Sequence, residues 1–410
     1  MKIECIAIGN ELLAGFAINS NAAFISKELL MHGWAVCRHT TLPDDGPTLK
    51  KGLQEALERS DVVITTGGLG PTGDDITRAV VAELFACGMR YDQRVAADLR
   101  RRRGDDLATL HNQATIPEKA LAFLNDVGTA PALLLSKQNK IIILLPGVPQ
   151  EMKPLFTCQI IPYLINHCNN DAKQWRRRLY MWGVAEEKVD PLLQAISSQD
   201  KTISYGLYPS QGILSVHLIA YGNEEETLAR LDIHCQTIEK AFSCHLFHAE
   251  DGKIEEAVQR CLTERCENMS IAESCTGGAL AARLTALAGA SHFFLGSIVA
   301  YNDELKEKLL GVNPELLRNY GAVSKEVVIA MAQGVQTLTG SDWSLAVSGI
   351  AGPGGGSSDK PVGTIWGAVM RRGAPPHAWL IPARGSRTTI IEQSSNALLG
   401  QLYLQLCQRT

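Results

Sequence analysis

The chain has 410 residues, 45% of them apolar and 20% charged, with a formal net charge of −4. That is too long for one ordinary domain, and the balance is that of a globular protein without the basic excess of a general nucleic-acid binder. No apolar run is long enough to span a membrane, and the 11 cysteines form no Cys-x-x-Cys pair, which argues against a zinc ribbon or disulfide framework and for a reducing, cytoplasmic setting.

The opening residues MKIECIAIGNELL carry Glu4, Asn10 and Glu11 and no secretory cleavage pattern, so Ile3 to Ile8 is predicted as a first strand. A helix is predicted from about Asn19 to near Gly33, a strand over Ala35 to Arg38, and a helix marked by Leu49, Leu53, Ala56 and Leu57. The β-branched run Asp61 to Thr66 reads as a buried strand. It feeds TTGGLGPTGDD, which ends at Asp75, and a helix with Ile76, Val80, Val81 and Leu84 follows. Alternating strands and helices of this kind predict a doubly wound α/β domain, whose ligands bind beyond the carboxyl ends of the strands.

Glycines in TTGGLGPTGDD let the backbone approach a phosphate. The acidic pair Asp74-Asp75 makes sense beside a phosphate when a divalent cation lies between them. A plain glycine turn with an aspartate helix cap is the alternative. Two further polar loops, Gly9 to Gly15 and Leu145 to Pro149, follow predicted strands in the same way and favour a site.

The stretches GNELLAG, TTGGLGPTGDD, GTAP and LPGVPQEMKP resemble the molybdopterin-binding-type domain of the CinA (competence/damage-inducible) family. The resemblance implies a metal-dependent ADP-ribose pyrophosphatase-type domain over residues 1–165. Its nucleotide and phosphate site would use Asn10, Glu11, Asn21, Gly67, Gly68, Gly70, Asp74, Pro146 and Gly147, with Asp75 holding Mg²⁺ or Co²⁺. One departure stands out: Asn112 precedes Gln113-Ala114 where the family often has a lysine, which puts the pyrophosphatase activity in question.

Residues 166–250 differ in character. Asn169 to Arg178 is polar and reads as a linker, and the short basic runs Arg100 to Arg103 and Arg176 to Arg178 read as solvated faces. Arg178 to Val184 and Ile213 to Ala220 read as strands, and Glu224 to Phe242 as a helix. No catalytic cluster is visible. The resemblance implies a small KH-like or ferredoxin-like α+β module. A spacer or dimerisation role is expected, with no RNA binding because a basic G-x-x-G loop is absent.

The third part, residues 251–410, opens with a helix over Ile254 to Cys266 and a strand at Met269 to Ala272. Glu273, Ser274, Cys275, Thr276, Gly277 and Gly278 then lead into a helix from Ala279 to Leu287. Ser and Thr at a helix start commonly serve as caps, but N–H groups there also suit a developing oxyanion. Phe293 to Ala300 is a strand that delivers Tyr301. Asn302-Asp303 caps a helix containing Lys306 and ended by Gly311. Leu345 to Val347 feeds SGIAGPGGG, and Lys360 follows. This set suits an amide hydrolase with a serine nucleophile and no histidine, in which a lysine of lowered pKa acts as base. Cys275 to Gly278 would supply the oxyanion hole. Gly349, Ile350, Ala351, Gly352 and Gly356, with Lys360, would hold a phosphate-bearing substrate.

AESCTGG, VAYNDELKEKLLGV, GAVS, SGIAGPGGG and KPVGT resemble the CinA C-terminal domain. The resemblance implies nicotinamide mononucleotide deamidation with no cofactor, a catalytic trio at Ser274, Tyr301 and Lys306, and substrate contacts at Cys275, Thr276, Gly277 and Gly278. Asp303 stands where the family commonly has asparagine. The expected partners are nicotinamide mononucleotide and ADP-ribose, with a homodimer and neither membrane nor nucleic acid. A non-catalytic nucleotide-binding or assembly role for the first domain, and a non-enzymatic role in DNA uptake or recombination, are the competing readings.

Overall fold

A computed structural model describes residues 1–73, 75–103, 107–168, 173–249 and 252–407. The chain divides into two compact units, Met1–Trp175 with Ala220–Leu228 and Arg176–Ile219 with Ala229–Thr410. Asp74, one of the predicted phosphate-site residues, lies outside the described residues.

The first unit is built on β1 (Ile3–Ile8), β2 (Val36–Leu42), β3 (Val62–Thr66), a short ribbon β4–β5 (Met89–Tyr91, Thr115–Pro117), β6 (Leu121–Phe123), β7 (Ala132–Lys137) and β8 (Lys140–Leu145). Its main sheet has the order β2-β1-β3-β8-β7-β6. The first four of these strands run parallel. Ile3 and Cys5 enter one core with Ile25, Leu29 and Phe156, while Ile6 and Ile8 enter another with Leu49, Leu53 and Val81. Helices therefore cover both faces, which is why the inner strands β1, β3 and β8 read as mainly apolar runs. The doubly wound α/β expectation holds. The second strand runs to Leu42 rather than Arg38. His39 and Thr40 look polar in sequence because this is an edge strand, where one side faces solvent and Thr40 Oγ1 donates to Glu4 at 2.7 Å.

The middle sheet has the order β10-β11-β9-β12, from β9 (Lys173–Trp182), β10 (Ile203–Ser210), β11 (Ile213–Gly222) and β12 (Leu246–Phe247). The predicted linker over 169–178 is corrected here. Residues 173–178 are strand, with Gln174 and Trp175 buried, and Arg177 pairs with Asp232 on the helix Glu224–Phe242. The arginine run belongs to a strand whose neighbours neutralise it.

The last sheet has the order β14-β13-β15-β16-β17: β13 (Met269–Glu273), β14 (Phe294–Val299), β15 (Trp343–Gly349), β16 (Thr364–Arg371) and β17 (His377–Pro382). The first three strands in that order are parallel, β16 is antiparallel to β15, and β17 is antiparallel to β16. Helices Ile254–Glu264, Ala279–Thr285 and Arg387–Cys407 cover one face, and Asp303–Leu310, Pro314–Tyr320 and Lys325–Thr339 the other. The first of these cores continues to Tyr180 and Phe247 of the middle sheet. Gly400 lets the final helix sit against the Trp182 indole, where a Cβ would fall 2.2 Å from the ring. Within this unit the middle strands and the third domain therefore share one core. Among the described residues, no helix is long and apolar enough to cross a membrane.

Candidate functional site

In the second unit Glu273 is in register with Val299 on one side and Val347 on the other. The turns that follow β13, β14 and β15 therefore emerge at one end of the sheet, and the strand order switches direction around β13, the position where open α/β sheets bind ligands.

The turn after β13 is organised by a buried carboxylate. Glu273 accepts hydrogen bonds from Thr276 Oγ1 at 2.8 Å, from the N–H groups of Gly278, Leu280 and Ala281 at 2.9, 3.2 and 3.0 Å, and from Ser297 Oγ at 3.0 Å. The left-handed conformations of Gly277 (φ 62°) and Gly278 (φ 97°) bend the helix start back over it. The predicted serine or threonine cap is thus corrected: Glu273 caps the helix, and Thr276 only contributes a hydroxyl. The expected oxyanion hole narrows for the same reason. The Gly277 and Gly278 N–H groups are committed, to Ser274 O at 3.0 Å and to Glu273. Among the described residues the N–H groups of Cys275 and Thr276 make no hydrogen bond to another residue, which leaves these two for an oxyanion.

Ser274 is held by its backbone, with its N–H donating to Val347 O at 3.1 Å. Among the described residues its hydroxyl has no protein partner, and the residue is 7% exposed. Its neighbours are poorer nucleophiles. Burial pushes the Cys275 thiol up to about 12, with nearby Glu273 adding to burial and the charges of Arg387 and Lys306 opposing it. The Thr276 hydroxyl is engaged, donating a hydrogen bond to Glu273.

Ala300 N–H donates to Glu273 O at 2.8 Å, which fixes the start of the turn carrying Tyr301. Asn302 caps the next helix through Leu305 N–H, and Gly311 ends it in the left-handed region, as the sequence predicts. Lys306 is 1% exposed, and its Nζ lies 3.5 Å from Asp303 Oδ1. The departure from asparagine at Asp303 therefore places a carboxylate beside the candidate base. Lys306 is near enough for its charge to act on the Cys275 thiol.

Arg387 is the residue that sequence reasoning missed. Its Nη2 donates to the Tyr301 hydroxyl at 2.9 Å and its Nη1 to Gly352 O at 2.8 Å, so it joins the tyrosine to the glycine loop. One signal was available: Arg387 opens the helix Arg387–Cys407, where a cation opposes the helix dipole. In the loop itself, Ile350 pairs with the start of β16 through Thr364 O and Gly363 N–H. Ala351 is buried in the core, and Gly349 lies against Ile365, where a Cβ would come within 2.3 Å. Gly356 packs on Val362. Lys360, expected to hold a phosphate, has its ammonium engaged by the protein. Its Nζ donates to Tyr320 O at 2.7 Å and Val323 O at 2.8 Å, which makes it a strut for the loop.

In the first unit the parallel register aligns Ala7, Thr66 and Leu145, so the loops after β1, β3 and β8 converge on a cleft of about 570 Å³. Glu11, Gly67, Gly68, Gly70, Asp75, Pro146 and Gly147 line it, as expected, and so do Asp44 and Glu151, which were not singled out. A Cβ at Gly67 would strike Ile8 O at 2.2 Å, and one at Gly68 would strike Thr77 Oγ1 at 2.1 Å. Asn10 does not line this cleft; its N–H donates to Asp44 at 3.0 Å. Asn21 lines a smaller adjoining pocket and donates to Gly147 O at 2.7 Å. Asp75 accepts from the N–H and hydroxyl of Thr72. Asn112 carries no charge but bonds the buried Arg78, whose guanidinium also holds Gly70 O at 3.2 Å under the loop. Burial pulls the Arg78 pKa below its usual value, and Asp75 opposes the shift. Among the described residues no three His, Cys, Asp or Glu side chains are grouped to hold a metal.

Two family profiles match the chain: "CinA C-terminal domain" over residues 251–406 and "Probable molybdopterin binding domain" over residues 4–166. A relative from Desulforudis audaxviator is 37% identical over 90% of each chain. A "CinA-like protein" from Dictyoglomus thermophilum is 36% identical over 91% of this chain and 92% of its own. The crystal structure of competence damage-inducible protein A from Klebsiella pneumoniae is 36% identical, covers 38% of this chain and 97% of its own, and has a TM-score of 0.37.

Proposed function

The chain belongs to the CinA family, and from that premise we propose that its C-terminal part hydrolyses the carboxamide of nicotinamide mononucleotide to nicotinate mononucleotide and ammonia. The observation that carries the reading is the uncommitted Ser274 hydroxyl in a turn whose Thr276 hydroxyl and Gly278 N–H are bound to Glu273. Ser274 Oγ attacks the carboxamide carbon while Lys306 takes its proton. The N–H groups of Cys275 and Thr276 hold the oxyanion. Collapse of the tetrahedral adduct expels ammonia after proton return to nitrogen, and water then cleaves the acyl ester by the same steps. Tyr301, exposed and with its hydroxyl accepting from Arg387, would relay the proton or steady the oxyanion. Arg387 also replaces Lys360 as the cation facing the nucleotide phosphate.

Incubating the full chain with nicotinamide mononucleotide should release ammonia and acid mononucleotide in equal amounts without added metal. Absence of both products would sink the reading. Arg387→Ala should raise KM about ten-fold and lower kcat less, because it loses a phosphate contact while the nucleophile stays in place. Steady-state kinetics separates the two parameters.

The first unit supports a second activity, metal-dependent cleavage of ADP-ribose. Three glycine-bearing loops and the carboxylates Glu11, Asp44, Asp75 and Glu151 line one cleft. Such a set fits an ion like Mg²⁺ that shares one or two carboxylates with substrate phosphates and waters, rather than a cage of protein ligands. Asp75, and one of the other carboxylates, would hold it, and the ion would neutralise the pyrophosphate charge. Asp75→Asn should cut AMP formation from ADP-ribose with Mg²⁺ or Co²⁺ by about 100-fold while leaving ammonia release unchanged. If the parent chain yields no AMP with either metal, this unit binds or assembles without catalysis.

A further inference from the structure

Asn21 stands in the first turn of the helix Ser20–Met31 and is 8% exposed. Its side-chain nitrogen donates to Gly147 O at 2.7 Å, and that bond to a carbonyl fixes which end of the amide is oxygen. The oxygen, Oδ1, is buried and has no hydrogen-bond partner among the described residues. Its neighbour Asn19 supplies the contrast: Asn19 Oδ1 accepts from Ala22 N–H at 3.0 Å and caps the helix. A buried acceptor left unpaired is costly. The position therefore calls for a donor that the described residues do not provide.

Asn21 lines the pocket of about 160 Å³ that adjoins the glycine-loop cleft. The two share Ile8, Glu11, Gly147 and Pro149 as walls, so one ligand can extend through both. Whole small-molecule sites occupy about 300–1,000 Å³. The pocket thus suits one ring system of a larger ligand whose charged part lies among the glycine loops. Leu12, Ile18 and Pro149 give it carbon walls for the faces of a flat ring, and Ile18 is 92% exposed, an apolar side chain left uncovered at the rim. Ser20 and Thr66 bring hydroxyls to the lining, which can donate to ring nitrogens. A sugar fits less well, because its several hydroxyls would meet those carbon walls unpaired.

We propose that this pocket is the base subsite of the first unit and takes the adenine of an adenine nucleotide, with the 6-amino group donating to Asn21 Oδ1. The proposal rests on the reading of the first unit as an ADP-ribose site. It adds an orientation, with adenine in the pocket and the pyrophosphate among Gly67, Gly68 and Gly70. Adenine presents its amine as a donor beside an acceptor nitrogen, whereas guanine carries a carbonyl oxygen at the same ring position. That oxygen would meet Oδ1 acceptor to acceptor. Asn21 is thus a specificity-determining residue that reads the base and touches no reacting atom.

The test is calorimetric titration of the full chain, in chelator so that nothing is cleaved, with ADP-ribose and with its analogue whose purine lacks the 6-amino group. Loss of that one donor should weaken binding about ten-fold or more. Asn21→Ala should bring the two ligands within about two-fold of each other, chiefly by weakening ADP-ribose. The comparison on the parent chain needs no variant, so it decides the matter even where loss of the bond to Gly147 O unfolds Asn21→Ala. Equal affinity of the parent for both ligands would overturn the base subsite while leaving the cleavage of ADP-ribose to be read from AMP formation. So would a preference for the amine that survives in folded Asn21→Ala. A preference for the amine with no AMP formed once Mg²⁺ or Co²⁺ is restored would keep the base subsite and sink the cleavage reading alone. Binding of neither ligand at millimolar concentration would remove both.

Discussion

Ser274→Ala should lower ammonia release from nicotinamide mononucleotide at least 1,000-fold (an order-of-magnitude expectation for loss of a nucleophile) and leave the melting temperature within about 1 °C of the parent. The small effect on stability follows from how Ser274 is held. Its backbone N–H bonds Val347 O and its carbonyl accepts from Gly277, and alanine keeps both. Its hydroxyl bonds nothing in the protein among the described residues, so removing it strands no buried partner. The neighbouring side chains supply the contrast. Cys275→Ala should retain most activity, because a thiol pushed up to about 12 is protonated throughout the working range. Thr276→Val should lose about 1 kcal/mol of stability, because it withdraws one donor from Glu273. A Ser274→Ala enzyme that kept more than a tenth of the parent rate would move the chemistry elsewhere in the turn.

Much of this arrangement is legible in the sequence, for reasons that can be named. Strands β1, β3, β8 and β13 are buried along most of their length and so appear as mainly apolar runs, broken at Glu4, Ser270 and Glu273. The glycine loops that follow them are visible because close backbone contacts, such as those at Gly67 and Gly68, exclude every other residue. Partnerships between distant segments leave no such trace. β9 hides because the arginines in RRRL look solvated until Asp232 is placed beside Arg177. Lys360 looks like a phosphate ligand until the Tyr320 and Val323 carbonyls are placed around its ammonium. Arg387 is far from Tyr301 in sequence, and only the return of the final helix brings it to the tyrosine hydroxyl. Glu273 was in view from the start, but nothing local says that five donors, one of them on β14, converge on it.

That convergence makes Glu273 the position of second-largest expected effect. Glu273→Ala removes the acceptor for three backbone N–H groups and two hydroxyls in a fully buried place. Each stranded donor carries a desolvation cost. Entry of water and relaxation of the short helix Ala279–Thr285 offset part of it, so the net loss should be about 3–5 kcal/mol, comparable to breaking a buried charged network. Glu273→Gln keeps the shape but turns an NH₂ group toward donors. It should cost about half as much as the alanine change, since one amide oxygen still accepts. The activity pattern distinguishes a positioning role from a merely structural one. Glu273 makes no contact with the nucleotide in the proposed mechanism, but it sets the turn from which Ser274 attacks and from which the Cys275 and Thr276 N–H groups meet the oxyanion. Glu273→Gln should therefore lower kcat at least ten-fold, about 1.4 kcal/mol of transition-state stabilisation, with KM changed less than about two-fold. Urea denaturation and steady-state kinetics on the same sample read both effects. A Glu273→Gln enzyme less stable than the parent but with unchanged kcat would confine the carboxylate to holding the fold, and the geometry of the Ser274 turn would then have to be set by Gly277 and Gly278 alone.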